Sequence, residues 1–189
     1  MKHLPCPPRS YNKTFTDEDI ESLVSCAQQG DTASFEHLYR LLVDRVYRFA
    51  YARVGSKAIA QDIVSETWKK VWVYLPRYRR GSFTAFLFRI AYTQLVSVLR
   101  KQRPTESIDD HSYIAAAAIA LDERVIKKET VAQLYRMLHL LPQTYATVIT
   151  LRFIDGMSIK ETATVMNMSA IRVRVTQFRA LQKLRTLYQ

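Results

Sequence analysis

One stretch near the end of the chain constrains the fold most, because it carries two helix-start signals separated by a short turn. Ser158, followed three residues later by Glu161, forms a capping box and predicts a helix from Ile159 onward. Asn167 tolerates left-handed backbone, and Ser169 is a second N-cap. The stretch therefore predicts a helix-turn-helix, a motif whose second helix enters the major groove of DNA.

The predicted second helix has two faces of different chemistry. A buried face is predicted by apolar residues at helical spacing, namely Val173, Ala180, Leu181 and Leu184. The opposite side is expected to hold Arg172, Thr176, Arg179 and Lys183. Phe178 is compatible with either face. This arrangement predicts a cationic surface on a helix that rests on an apolar core.

The charge of the chain is unevenly distributed. The sequence holds 28 Lys and Arg against 17 Asp and Glu, a formal net charge of +11, which favours a nucleic acid or an acidic membrane surface as partner. The alternative is an ordinary basic protein. No acidic residue occurs from Thr67 to Thr105 or after Glu161. Two separate acid-free basic zones predict two contacts on one polyanion.

Several classes of protein are disfavoured by what the sequence lacks. Cys6 and Cys26 are the two cysteines, and no CxxC or Cys/His cluster predicts a disulfide framework or a zinc site. The four glycines are scattered, so no phosphate-binding loop is predicted, and no hydrolase motif occurs. No secretory signal or long apolar run is visible. We expect no enzymatic activity, no cofactor, no metal, no membrane insertion and a cytoplasmic location.

The composition and the start and stop signals predict an all-α chain. Thr16 and Asp31 are expected to open the first two helices, which glycines 30 and 55 end. A third helix is predicted over residues 57–75 and a fourth from Ser82 or Thr84 to Pro104. These four form a bundle. We predict a tail (1–15), a helical domain (16–103), a flexible linker (104–121) and a helix-turn-helix domain (122–189).

Two features of the first domain bear on binding. Trp68 and Trp72 lie four residues apart and share a helix face, which favours a place in the core. The loop 76–82 interleaves cations with Tyr78, a mixture that suits stacking on unpaired bases beside phosphates. The alternative interpretation of that loop is a solvated basic surface.

Two stretches together resemble a known family. AQDIVSETWKKVW at 60–72 with FTAFLFRIAY at 83–92 is similar to region two of bacterial sigma factors of the extracytoplasmic-function type. Leu141-Pro142 and VITLRFIDGMS at 148–158, followed by the helix-turn-helix through Arg185, are similar to region four. The order and spacing of the two, with a linker between them, make the resemblance specific.

The resemblance implies that the protein binds core RNA polymerase and directs promoter recognition and melting. An acidic helix face with Asp62, Ser65 and Glu66 would contact core polymerase. Without the resemblance, this face is interpreted as a solvated surface. The minus-ten DNA would be held by Arg79, Arg80, Arg89, Tyr92, Thr93, Arg100, Lys101 and Arg103. The minus-thirty-five DNA would be read by Arg172, Arg174, Val175, Thr176, Phe178 and Arg179. Promoter DNA is thus a partner, and an anti-sigma factor is a typical further partner of the family.

The sequence departs from the family pattern at several positions. Thr93 stands where Asn is frequent, and Ala170-Ile171-Arg172 replaces the usual small-residue lead into the recognition helix. These changes bear on promoter sequence rather than on the role. Two other hypotheses are a stand-alone helix-turn-helix regulator and an enzyme acting on nucleic acid, and the second lacks a metal or nucleophile cluster.

Overall fold

The computed structural model describes residues 15–79, 81–102 and 125–188, and within these ranges every regular element is a helix. The predicted all-α class is confirmed. The linker predicted at 104–121 and nearly all of the predicted tail lie outside the described residues. The helices are α1 (Asp17–Gln28), α2 (Thr32–Val54), α3 (Lys57–Tyr74), α4 (Phe83–Gln102), α5 (Val125–Leu140), α6 (Gln143–Ile149), α7 (Ile159–Met166) and α8 (Ala170–Tyr188).

The first helices begin and end where the sequence signals place them. The Thr16 hydroxyl accepts the Asp19 amide at 3.2 Å while the Asp19 carboxylate accepts the Thr16 amide at 3.0 Å, which completes a capping box at α1. The Asp31 carboxylate caps α2 by accepting the Ala33 amide at 3.1 Å. Gly55 adopts the left-handed conformation (φ 64°) that ends α2, a conformation that glycine reaches without steric cost.

The bundle of α1 to α4 surrounds an apolar core. Its fully buried large side chains include Phe49 of α2, Ile63 of α3 and the α4 residues Phe83 and Phe88. The expectation for the two tryptophans is half right. Trp68 is 5% exposed, whereas Trp72 is 48% exposed although it contacts the Phe35 ring at 4.7 Å between centroids. A shared helix face therefore does not imply equal burial when the neighbouring helix covers one end of that face.

The connection between α3 and α4 is anchored to α1. After a 3₁₀ turn over Leu75–Arg77, the Tyr78 hydroxyl donates to the Glu21 carboxylate at 2.6 Å, and the Phe83 amide donates to the same oxygen at 2.8 Å. Burial and the bond to Glu21 raise the pKa of Tyr78. The Tyr78 ring also packs on Phe86. The expectation that this loop offers an aromatic ring to unpaired bases is therefore wrong for Tyr78, whose ring is committed to the core.

The second unit consists of α5 to α8 around a smaller core of Leu138, Leu141, Ala146, Ile149 and Ala180. Pro142 directly precedes α6, and its carbonyl accepts the Ala146 amide at 3.0 Å. A π-helical segment, Thr150–Ile154, continues α6. Its wider turn brings the Asp155 amide to the Thr150 carbonyl at 3.0 Å.

The two helical units share one apolar core. The main cluster contains the buried residues of α1 to α4 and continues into the second unit through Val148, Leu151, Met157, Val165, Met166 and Val173. Helix α7 lies against α4, and α5 and α6 lie against α2. This packing determines which parts of the DNA-binding surfaces predicted from the sequence face solvent.

The turn between α7 and α8 gives a prediction on stability. Asn167 has φ 53° and ψ 50°, a left-handed conformation that costs a residue with a β-carbon roughly 1–2 kcal/mol unless a short polar side chain eases it. Asn167→Ala should lower the free energy of unfolding by about 1 kcal/mol, as measured by urea denaturation. The matched control is Asn167→Gly, which reaches this conformation freely and should stay close to wild type. Equal losses for the two variants would contradict this account.

Candidate nucleic-acid interface

The helix-turn-helix is built by local hydrogen bonds that the sequence predicts. The Ser158 hydroxyl accepts the Glu161 amide at 3.1 Å, and the Glu161 carboxylate accepts the Ser158 amide at 2.8 Å. After the left-handed Asn167, the Ser169 hydroxyl accepts the Arg172 amide at 3.2 Å and caps α8. The capping box, the turn and the second cap are therefore confirmed.

The outer face of α8 carries most of the predicted minus-thirty-five residues. Val173, Thr176 and Ala180 face the core, which leaves the opposite side of the helix in solvent. Phe178, which the sequence left open between core and surface, is 62% exposed. The exposed members of the predicted set are Arg172, Arg174, Val175, Phe178 and Arg179.

Two expectations for α8 need correction. Thr176 was expected on the DNA-facing side, but its side chain is buried, at 8% exposure. Leu181 was expected in the core and is 42% exposed. The inward stripe runs through positions 173, 176 and 180, so a threonine takes the place of an apolar residue in it. Ile171, which was noted only as part of an atypical lead, is 71% exposed on the first turn and belongs to the outer face.

The second basic surface lies along α4 and at its two ends. Arg89 and Thr93 are exposed one turn apart, and Arg100 and Lys101 are exposed at the carboxyl end. Arg79 is exposed in the loop before the helix. Helix α4, which carries four of these residues, has no carboxylate of its own. Arg80 and Arg103 lie outside the described residues.

Tyr92 occupies a different environment from its neighbours on α4. It is half-buried against the bundle, and burial raises the pKa of its hydroxyl although the nearby charge of Arg53 opposes that shift. The Thr93 hydroxyl donates to the Arg89 carbonyl at 2.9 Å, so it is held on the helix surface. Because the Tyr92 side chain is packed against the core, only part of it is open to a base.

The predicted polymerase-binding residues form an exposed face of α3. Asp62, Ser65 and Glu66 all lie in solvent, one turn apart. The Lys69 ammonium lies 2.7 Å from the Glu66 carboxylate, and this hydrogen bond and the positive charge lower the pKa of Glu66. The Glu66 carboxylate is therefore ionised near neutral pH, and Lys69 makes the face mixed in charge. Ion pairs this exposed contribute little to stability but influence which surface docks.

Helix α7 covers part of the α4 surface. The Ser82 hydroxyl donates to the Glu161 carboxylate at 2.8 Å, and the Arg89 guanidinium donates to the Thr164 carbonyl at 3.0 Å. Partial burial works against ionisation of Glu161, but hydrogen bonds from Ser158 and Ser82 hold its pKa below the ordinary value. The first helix of the helix-turn-helix thus engages residues at the head of the other basic surface.

A second contact between the units centres on Arg45 of α2. Its guanidinium donates to the Asp155 carbonyl at 2.9 Å and lies 5.5 Å from the centroid of the Phe88 ring. The Asp155 side chain is 1% exposed, and its Oδ1 lies 3.7 Å from Arg45 Nε, which is beyond hydrogen-bond length. Burial raises the pKa of Asp155 to about 7, although the charges of Arg45 and Arg48 oppose the shift. Sequence reasoning missed this contact because it joins residues 110 positions apart.

The described residues offer little for chemistry of other kinds. No group of three or more His, Cys, Asp or Glu side chains gathers in them as a metal site would require. None of the helices in the described ranges combines the length and the apolar character that a membrane crossing needs.

Comparison with known proteins places the two units in one family. Residues 38–105 match the family model of Sigma-70 region 2, and residues 132–184 match that of Sigma-70 region 4. The RNA polymerase sigma-H factor of Pseudomonas aeruginosa is 30% identical over 176 residues, which cover 87% of this chain and 91% of that protein. The ECF RNA polymerase sigma factor SigD of Mycobacterium tuberculosis is 29% identical over 187 residues, 93% of this chain and 87% of that protein.

A solved structure shows the same fold. It is the sigma factor RpoE in complex with the anti-sigma factor NepR from Bartonella quintana, with a TM-score of 0.64 and 21% identity over 82% of this chain and 96% of that chain.

The chain belongs to the sigma-70 family, in its extracytoplasmic-function (ECF) subfamily. It is a sigma factor, a protein that binds RNA polymerase and directs it to promoters. The resemblance inferred from the sequence is confirmed, and the stand-alone regulator is not favoured. Sigma factors in general are not enzymes.

The buried Asp155 carboxyl gives a prediction on pH. Its pKa in the folded chain is about 7 and its ordinary value is near 4, so between these pH values the folded state binds more protons than the unfolded state. This group therefore makes the free energy of unfolding fall as pH rises from about 4 to 7, by at most about 1.4 kcal/mol per pH unit. Above about pH 7 its contribution is constant.

Asp155→Asn removes the titration. Its urea-denaturation stability, relative to wild type, should rise between pH 5 and pH 7 and then level off. The matched control is Asp44→Asn at an exposed position of α2, which should track the wild-type curve. A constant difference between Asp155→Asn and wild type across this window would show that the Asp155 carboxyl does not titrate there.

Proposed function

We propose a division of labour among three surfaces of this sigma factor. The outer face of α8 reads the minus-thirty-five element as duplex, the α4 surface holds the minus-ten element as it opens, and the α3 face docks on core polymerase. The observation that carries this proposal is the presence of two exposed cationic surfaces, on two helical units of one chain, each on a helix without acidic residues. A sigma factor must hold two promoter elements at once. A single cationic surface would contact only one of them.

On α8 the exposed side chains supply both kinds of base contact. Arg174 and Arg179 can donate two hydrogen bonds to a guanine edge or one to a phosphate, and Arg172 lies near the start of the helix. Val175 and Phe178 are apolar and exposed, so they can meet thymine methyl groups. The buried Thr176 is not part of this proposal. The exposed Ile171 extends the apolar part of the surface toward the amino end of α8.

On α4 the arrangement suits a strand whose bases have left the stack. Arg79, Arg89, Arg100 and Lys101 can follow the phosphates along the helix, and Thr93 places a hydroxyl between them. The half-buried Tyr92 has only part of its side chain open to a base. Arg80 and Arg103 extend the same set by sequence position.

The remaining parts of the proposal concern partners and organisation. The exposed Asp62, Ser65 and Glu66 would meet basic residues of polymerase, where complementary charge fixes orientation and speeds association. Residues 16–103 and 122–189 would act as the two domains, with 104–121 as linker. We also propose an anti-sigma factor as regulator, since RpoE of similar fold forms such a complex. The protein would act in the cytoplasm, where polymerase transcribes, and would catalyse nothing itself.

The role of the α3 face predicts the outcome of a charge reversal. Asp62→Lys with Glu66→Lys should lower the amount of holoenzyme formed with purified core polymerase by about tenfold, an effect that shrinks at high salt. Holoenzyme is measured by gel filtration, and its activity by run-off transcription from candidate promoters. The control is Glu36→Lys, which reverses an exposed charge on α2. The wild-type protein must start transcripts in this assay, and its failure to do so would contradict the proposed function.

The two DNA surfaces predict separable defects. Arg174→Ala should weaken binding of minus-thirty-five duplex by about 1–3 kcal/mol and relax its sequence preference, because it removes a direct base contact. Thr93→Ala should leave that duplex binding unchanged and reduce the yield of open complexes, as detected by permanganate reactivity of unpaired thymines. Equal effects of both variants on duplex binding would contradict the division of labour.

A further inference from the structure

Tyr78, in the loop between α3 and α4, has all of its bonding groups engaged. Its hydroxyl donates to the Glu21 carboxylate at 2.6 Å, and its amide donates to the Leu75 carbonyl at 3.0 Å. Its carbonyl accepts a hydrogen bond from the Gln28 side chain at 2.8 Å. Its ring packs on Phe86, with 4.9 Å between the ring centroids. Tyr78 is therefore a fixed point of this loop.

Two side chains of α1 supply most of this anchorage. Glu21 and Gln28 lie seven residues apart, which is about two helical turns, so they share one face of α1. The side-chain nitrogen of Gln28 also donates to the Leu75 carbonyl at 2.8 Å. The Glu21 oxygen that accepts the Tyr78 hydroxyl also accepts the Phe83 amide at 2.8 Å. Helix α1 thus holds the connection at its beginning, at Tyr78 and at its end.

Two exposed arginines, Arg77 and Arg79, lie on either side of the fixed tyrosine. Tyr78 has extended backbone, with φ −64° and ψ 133°. In an extended chain, the neighbours of a residue that faces inward point to the opposite side. Neither guanidinium has a hydrogen bond or an ion pair with any residue that the structure describes. Two cations without partners in that part of the chain therefore project from a backbone that α1 holds in place.

The chemistry of this arginine pair suits the phosphates of a nucleic acid. No acidic residue occurs from Thr67 to Thr105, so no carboxylate close in the chain competes for the two guanidinium groups. A guanidinium can donate two parallel hydrogen bonds to one phosphate. Binding costs less free energy when the backbone that carries the cations is ordered beforehand. The family resemblance assigned Arg79 to the minus-ten DNA but did not assign Arg77.

We propose that Glu21 and Gln28 are positioning residues for the minus-ten contact, because through Tyr78 they hold Arg77 and Arg79 as a preorganised pair for the phosphates of the opened strand. The two α1 residues touch no DNA themselves and act through the loop. Arg77 joins the residues that contact the strand. This inference rests on the proposed assignment of the minus-ten strand to the α4 surface and the loop before it.

The test removes the anchorage at an exposed position, where a substitution disturbs the fold least. Gln28→Ala deletes both hydrogen bonds from α1 to the carbonyls of Leu75 and Tyr78. The matched control is Gln29→Ala at the next position, which is also exposed and makes no side-chain hydrogen bond to a described residue of the loop. The full chain is titrated onto a fluorescein-labelled single-stranded DNA 20-mer of random sequence. Binding is measured by anisotropy at several salt concentrations.

The arginine pair sets the scale of the expected effects. Arg77→Ala combined with Arg79→Ala should weaken strand binding about tenfold. It should also make the plot of log affinity against log salt less steep by about 1.4, because each phosphate contact on a single strand contributes about 0.7. Gln28→Ala should weaken binding about threefold, as expected when the loop has the binding geometry for about a third of the time. Gln29→Ala should match the wild type.

A double-mutant cycle separates positioning from a general loss of structure. In the chain that already carries Arg77→Ala and Arg79→Ala, Gln28→Ala should have no further effect, because it acts through those two side chains. The same loss in both backgrounds would overturn the inference, since an effect that does not need the arginines is only structural.

The carboxylate of Glu21 allows a rescue by a conservative variant. Glu21→Ala removes both bonds to the loop and should weaken strand binding as Gln28→Ala does. Glu21→Gln keeps an acceptor oxygen and should restore binding close to that of the wild type. Equal losses for Glu21→Gln and Glu21→Ala would contradict the positioning role. If Glu21→Ala does not fold, as judged by circular dichroism, the cycle with Gln28→Ala decides the question.

Arg89→Ala, on α4 itself, distinguishes a failure of the inference from a failure of the proposed function. If Arg89→Ala weakens strand binding while Gln28→Ala and the arginine pair match the wild type, the minus-ten assignment stands and the inference is lost. If Arg89→Ala leaves strand binding unchanged, the proposed assignment of the strand to α4 fails, and the inference that rests on it fails as well.

Discussion

The structure depends on one apolar core that does not stop at the boundary between the two helical units. Phe49, Phe83 and Phe88 fill the bundle, and Leu151, Met157 and Val165 of the second unit join the same cluster. Each unit alone would leave a part of this surface in water, so packing of the units removes apolar area that neither buries by itself. The shared core therefore decides where α7 rests and which side of α8 points outward.

Polar groups define the edges of this core. Arg45 reaches across it with one hydrogen bond to the Asp155 carbonyl and a contact to the Phe88 ring. The Asp155 carboxyl is buried nearby, with no hydrogen bond to either oxygen in the part of the chain that the structure describes. A buried carboxyl without hydrogen-bond partners favours its neutral form, so burial raises the pKa of Asp155 to about 7. The interface is thus held chiefly by apolar packing and by bonds to backbone carbonyls, and it is not held by a strong ion pair.

Much of the local structure could be predicted because its causes are local. Each helix cap depends on residues that lie within one turn of it, as at Thr16, Ser158 and Ser169. The left-handed turn at Asn167 is equally local. Five of the six residues predicted to read DNA on α8 are exposed, because they lie opposite its apolar stripe. Thr176 and Trp72 were misplaced because burial depends on what the neighbouring elements cover. Thr176 is polar but lies in the inward-facing stripe of α8, where it is buried. Helix α2 covers Trp68 more completely than Trp72.

The sequence by itself determined the helices, the segregation of basic residues into two acid-free zones and the membership in the sigma-70 family, because these follow from residue order and short-range periodicity. Only the tertiary structure decided that α7 seats on α4, that Arg89 and Ser82 donate to the helix-turn-helix, and that Tyr78 turns to Glu21. These contacts join residues 57 to 79 positions apart, and no local propensity encodes them. They follow from the way in which two apolar surfaces meet, a property of the whole folded chain.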